Sequence, residues 1–223
     1  MWCIPEKANG EFVACMEDVL DIYCQAYDER YPTVCMDETN KQLVAQVLTP
    51  LPVKPGQPER YDYLFEACGA ANLFLFFEPL AGQRFLQVTH HRTKRDWALA
   101  IRDLVDSYYP HAERITLIMD NLNTHTLGAL YDTFEPTEAY RIARRLDIHY
   151  TPKHGSWLNM AEIEFSVLHR QCLDQRIPDA QTLHNLVMLW QSQRNAQRIK
   201  VDWQFTTADA RIKLKRLYPS FHA

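Results

Sequence analysis

Ile115-Thr116-Leu117-Ile118-Met119-Asp120 is the stretch on which the fold turns. A short, continuous apolar run of this kind reads as a buried strand, and here it stops at an aspartate. Thr33-Val34-Cys35-Met36 reads as a second buried strand, stopping at Asp37. Two further strand-like runs, residues 61–68 and 72–77, flank Gly69 and suggest a hairpin. A short strand covers residues 148–150. Between and around these lie segments of helical periodicity. Residues 11–29 carry apolar side chains at Phe12, Cys15, Met16, Val19, Leu20 and Tyr23, and residues 93–109 follow with Thr93 as N-cap. Further helices are expected at residues 124–134, capped by Thr124, and at 138–146, 158–172, 182–197 and 207–217. The last begins at Thr206 or Thr207, after an extended piece over 201–205. Residues 50–58, with four prolines, form a loop.

Strands alternating with helices predict an α/β fold: a mixed central sheet flanked by helices, with a helical, basic C-terminal extension. The expected division is an N-terminal helix and linker over 1–30, a catalytic domain over 31–175 and the extension over 176–223. In open sheets of this class, ligands bind beyond the carboxyl ends of the strands. Two strands that end there in aspartate are the first pointer to chemistry.

Composition sets the bounds. With 223 residues and 47% apolar content, the chain can bury a sizeable core, as one domain or one with an appended piece. Its longest apolar run, Leu73-Phe74-Leu75-Phe76-Phe77, is far short of the roughly 18 residues that cross a bilayer. The N-terminus has no charged-then-apolar leader pattern, so a soluble, intracellular protein is expected. Six cysteines include no C-x-x-C pair, which argues against a zinc ribbon or a redox couple. The net charge of −4 does not announce a polyanion binder, but residues 194–223 carry seven basic side chains against two acidic ones. That tail either faces phosphates or is a solvated helix face. His90 and His91 precede a helix without further ligands at metal spacing, and read as surface residues.

Phosphoryl transfer on two metal ions needs several anionic oxygens held at one point by rigid elements. Asp37 and Asp120 supply two such corners, although an aspartate after a strand is also a common turn former. Three runs go further. Cys35-Met36-Asp37-Glu38-Thr39, Leu117-Ile118-Met119-Asp120-Asn121-Leu122-Asn123-Thr124-His125 and Tyr150-Thr151-Pro152-Lys153-His154-Gly155-Ser156-Trp157-Leu158-Asn159-Met160-Ala161-Glu162 resemble the three acidic motifs of mariner-superfamily transposases from bacterial insertion sequences. The resemblance covers nearly the whole chain.

It implies an RNase H-like fold, with Asp37, Asp120 and Glu162 as a DDE triad holding two Mg2+ or Mn2+ ions. It also implies cleavage and transfer of DNA strands, transposon ends and target DNA as partners, a homodimer, and a place in the bacterial cytoplasm at the nucleoid. The third acid falls in the Leu-Asn-x-x-Glu pattern at Glu162. Periodicity alone leaves Glu164 as a competitor, because both glutamates flank the apolar stripe of Leu158, Ala161, Phe165 and Leu168. Members of that superfamily carry an N-terminal helix-turn-helix region that reads the element's ends. Here only one helix precedes the first acidic strand, so that region is expected to be missing or separately encoded.

Around the acids, Asn121 and His125 read either as contacts to phosphate or as local capping and a surface histidine. Lys153 and His154 are placed to meet the DNA backbone, where Gly155 allows close approach. Trp157 stacks on a base or packs at a helix start. A plain RNase H-like nuclease would use the same acids without joining ends. An inactive remnant would bind DNA or dimerise with an intact copy.

Overall fold

The computed structural model describes residues 7–48, 51–58, 62–120, 122 and 125–220. Among them, five strands form one mixed sheet in the order β3-β2-β1-β4-β5: β1 Thr33–Gln46, β2 Phe65–Glu78, β3 Gln83–Thr89, β4 Ile115–Met119 and β5 Leu146–Tyr150. Strands β1, β2 and β3 are antiparallel neighbours, while β4 runs parallel to both β1 and β5. This is the mixed sheet expected from the alternation of strands and helices.

Period-two alternation sorts the strand side chains into two cores. Cys35, Leu73, Leu75, Phe77 and Ile118 face α1 (Gly10–Tyr23), α5 (Met160–Leu168), α6 (Ala180–Gln197) and α7 (Thr207–Lys213). Val34, Met36, Phe74, Phe76, Leu117 and Met119 face α2 (Lys94–Asp103), α3 (Leu127–Thr133) and α4 (Pro136–Ala143). Each such fully buried side chain contributes roughly 1.5–3 kcal/mol relative to exposure. Among the described residues, no helix is long and apolar enough to cross a membrane.

Several elements differ from the sequence expectation. β1 does not stop at Asp37 but continues to Gln46, because β2 goes on pairing with it after β4 has ended (Asp37 opposite Leu75, Gln46 opposite Phe65). The two runs around Gly69 are one strand, β2, and not a hairpin. Gly69, at φ +94°, sits where the register shifts, so that Leu43 faces both Cys68 and Gly69. The glycine serves a β-bulge, which like a turn draws on positive φ. The hairpin lies further on, where Gly82 (φ +69°) turns β2 into β3.

Helix α1 ends at Tyr23, where its apolar repeat ends, and the Cys24 N–H closes it onto Asp21 O. Thr93 caps α2 in a full capping box with Asp96, and the helix continues as a π-turn over Leu104–Tyr108. The cap expected at Thr124 lies outside the described residues, and α3 begins at Leu127. Asp179, accepting from Thr182 N, starts α6, and Thr206 with Asp209 forms the capping box of α7.

Candidate active site

The parallel ladder between β1 and β4 ends at Cys35 opposite Ile118. Asp37 and Asp120 each stand two residues beyond that last pair, in phase with Cys35 and Ile118, where the two strands part. β1 is tied to β2 on one side and β4 to β5 on the other, so the gap opens just past the carboxyl end of β4, alongside the part of β1 that continues without it. In sheets of this kind such a split is where ligands bind.

The third acid comes from α5, whose start is fastened to β1. Asn159 caps the helix through Oδ1, which accepts from Ala161 N (3.1 Å), and its Nδ2 donates to Met36 O (2.9 Å), the residue before Asp37. The buried Tyr23 hydroxyl donates to Leu158 O (2.7 Å) and lies 3.3 Å from Cys35 Sγ. Glu162 occupies the third helical position, where a capping box would fold it back onto the Asn159 N–H. That N–H instead donates to Ser156 O (2.8 Å), so capping does not engage Glu162. Glu162 lines an open cleft of about 540 Å³ together with Asp37, Thr39, Lys41, Ser166 and His169.

Glu164, which periodicity could not separate from Glu162, is committed elsewhere. It is buried and accepts from Arg84 Nε (2.6 Å) and Arg194 Nε (2.7 Å). Arg84 also donates to Gly82 O and Ile199 O, and it stacks on the Phe77 ring at 4.6 Å. This clasp joins α5 to β3 and α6.

The acids sense one another. Burial above all pushes the Asp37 carboxyl up to about 7, and the charges of Asp120, Glu162 and Glu38 reinforce it against the lowering hydrogen bond from Glu38 N (2.8 Å). Asp120 is bonded in turn to His125, whose Nδ1 lies 2.9 Å from Asp120 Oδ1 and whose Nε2 lies 3.1 Å from Glu38 Oε2. Burial works against a charge on that ring, but the hydrogen bonds to Asp120 and Glu38 outweigh it and raise His125 to about 9. At neutral pH the imidazole is therefore cationic and donates to both carboxylates.

Hard, all-carboxylate donors suit magnesium or manganese, and the mutual opposition around Asp37 is the excess charge that a divalent cation offsets. Among the described residues, no group of three His, Cys, Asp or Glu side chains is already closed tightly enough to hold a metal ion. Magnesium commonly binds through one or two carboxylates and completes its shell with water and substrate phosphates. The residues present fit that mode.

The remaining sequence candidates separate. Lys153 and His154 are exposed and, with Asp120 and Ser156, line a second cleft of about 380 Å³. His154 takes φ +65°. Gly155 is needed by the chain itself, since a Cβ there would stand 2.5 Å from Pro152 Cγ. His125 is not a surface residue but is completely buried, its ring stacked over Trp97 at 5.9 Å. Trp157 is also buried, edge-on to Phe205. Asn121 lies outside the described residues.

In the basic tail, three of the seven basic side chains, Arg194, Arg211 and Lys213, are engaged by Glu164, Glu17 and Asp209 in internal pairs. Sequence reasoning missed Glu38. Its only signal was its place between Asp37 and Thr39, in phase with the buried Met36.

Comparison with solved structures places this architecture. A Mos1 mariner paired-end complex with Mn matches with a TM-score of 0.57 and 14% identity, over 88% of this chain and 60% of that one. A Mos1 strand transfer complex gives 0.58 and 15%, over 88% and 60%. A pre-cleavage Mos1 transpososome gives 0.59 and 14%, over 98% and 66%. The chain thus spans about three fifths of the length of the first of these, and the likeness establishes the RNase H-like fold. A comparison with curated proteins found no match. Residues 32–184, which contain all five strands and α5, match the DDE superfamily endonuclease family, and the chain belongs to it.

Proposed function

We propose that the chain is the catalytic part of a transposase of the kind carried by bacterial insertion sequences, cutting DNA strands and joining them to a target. What supports the reading is the electrostatic interaction of Asp37 with two further acids. Asp37 on β1, Asp120 past β4 and Glu162 on α5 stand close enough to help raise the Asp37 carboxyl to about 7. Magnesium or manganese ions bound to these oxygens would polarise the scissile phosphate and activate the attacking oxygen. Asp37 and Asp120 would share them, with Glu162 completing the second position.

Lys153 and His154, exposed beside Asp120, would meet the DNA backbone and orient it, as phosphate contacts do elsewhere. The strand is cut by attack of water, and the liberated 3′-hydroxyl then attacks target DNA. Two DNA ends require two active sites, so a homodimer is the expected assembly.

The test is cutting of labelled supercoiled plasmid with magnesium or manganese, comparing wild type with Asp120→Ala. Metal-dependent cutting that falls by at least about 10³-fold in a folded variant supports the assignment. An Asp120→Ala protein that cuts at the wild-type rate sinks it. Strand transfer is read separately, with pre-cut element ends as substrate, and cutting without any joining would favour a plain nuclease.

A further inference from the structure

Backbone pairing does not hold β1 to β4 where Asp37 and Asp120 stand, because the ladder has ended at Cys35 and Ile118. Side chains make the tie, and they make it from the opposite face of the sheet. Glu38 points the other way from Asp37, towards α2 and α3, and its side chain is only 5% exposed. There it meets His125 Nε2 at 3.1 Å, while His125 Nδ1 meets Asp120 at 2.9 Å. The imidazole has no freedom left. Its ring lies over Trp97 at an interplanar angle of 22°, and its backbone carbonyl accepts the Tyr150 hydroxyl at 2.9 Å. A ring held so tightly between two carboxylates transmits the position of one to the other.

We propose that Glu38 is a positioning residue for the metal site: acting through His125, it holds Asp120 in the orientation that leaves Oδ2 for a divalent ion. It thereby fixes the spacing of the two acid-bearing strands beyond the end of their ladder. The inference rests on the reading of Asp37 and Asp120 as metal holders. The other partner of Glu38, Arg92 at 3.7 Å, is itself more than half exposed and does not account for burying a carboxylate. Partners one step behind a metal ligand typically change affinity about 10–100-fold when removed.

The experiment measures manganese binding to the full chain by calorimetry, without DNA, and plasmid cutting as a function of manganese concentration. Glu38→Ala is expected to weaken manganese binding, and to raise the half-activating concentration, by about 10–100-fold, with cutting largely recovered at saturating metal. Glu38→Gln, whose amide oxygen still accepts from Nε2, stays close to wild type, and Arg92→Met leaves manganese affinity unchanged. A folded Glu38→Ala protein that binds manganese like wild type overturns the proposal, as does an equal loss in the glutamine variant. If the alanine variant does not fold, Glu38→Asp, which retracts the carboxylate by one methylene, carries the same expectation of weakened binding. Wild-type protein that neither binds manganese nor cuts DNA would instead bring down the functional reading, and this inference with it.

Discussion

With its ionisation midpoint raised to about 7, the Asp37 carboxyl is only partly charged in neutral solution, because burial and then the nearby carboxylates oppose the charge. Folding therefore holds that proton more tightly than the unfolded chain does. The stability tied to it is fully present below about pH 4, the ordinary aspartate range, and is lost as the pH rises through about 7. Removing the charge should relieve this. In metal-free buffer Asp37→Asn is expected to be more stable than wild type at pH 7.5, by about 4 kcal/mol at most, with no difference near pH 4. Thermal melts at several pH values measure the growth of that gap. Added magnesium should then raise the wild-type melting temperature and leave the variant unmoved, since a ligand stabilises only the state that binds it. A gap that did not change between pH 4 and 7 would mean that Asp37 is not held against its charge. This was partly legible beforehand. The aspartate at the end of an apolar run was visible in the sequence, but not the burial, which depends on α5 lying over β1.

Helix α5 shows how far local sequence can specify an element and where it fails. Two glutamates flank its apolar stripe, and only packing against β3 and α6 separates them, through arginines 80 residues upstream and 30 downstream. Their partners predict opposite phenotypes. Glu164→Ala would leave the buried Arg84 guanidinium with the Gly82 and Ile199 carbonyls in place of a carboxylate, and should cost about 3–5 kcal/mol in denaturant unfolding. Glu162→Ala, facing the open cleft, should change stability by less than about 1 kcal/mol and yet abolish cutting. A destabilised Glu162→Ala protein together with an innocuous Glu164→Ala protein would exchange their roles. The same limit explains the sheet. β4 was readable because it is almost wholly buried and its one polar residue, Thr116, is β-branched and suits a strand. β3 was not, because Gln83, Arg84 and Gln87 break its apolar pattern, and Arg84 is buried through partners such as Glu164 and Ile199 that lie far along the chain. Gly69 was read as a turn because bulges and turns draw on the same freedom of φ; long-range register, absent from any local window, decides between them.

At the scale of the molecule, residues 176–223, expected from the sequence as an appended extension, pack as a wall against the sheet. Leu183, Val187, Trp190, Ala210, Leu214 and Leu217 pack into the same core as Cys35 and Ile118, the neighbours of the two aspartates. Helix α6 also covers the free edge of the sheet. Gln191 Oε1 accepts from Leu86 N (2.6 Å), Asn195 Oδ1 accepts from Arg84 N (2.9 Å), and Asn195 Nδ2 donates to Arg84 O (2.8 Å). Side chains thus take up backbone groups of β3 that would otherwise invite another strand. A chain ending at residue 175 keeps all three acids but loses this cover. It should be largely insoluble, or compact without fixed packing, with strong binding of a hydrophobic dye and no sharp thermal transition. Its failure would come from structure and not chemistry, so residues 176–223 added as a separate fragment during refolding should restore a cooperative melt before any cutting is tested. If the truncated chain melted cooperatively by itself, the acids would sit on a fold independent of α6 and α7, and the clasp at Glu164 would be dispensable. The buried pair between Arg84 and Glu164, with Arg194 of α6 as its third member, argues for the first outcome.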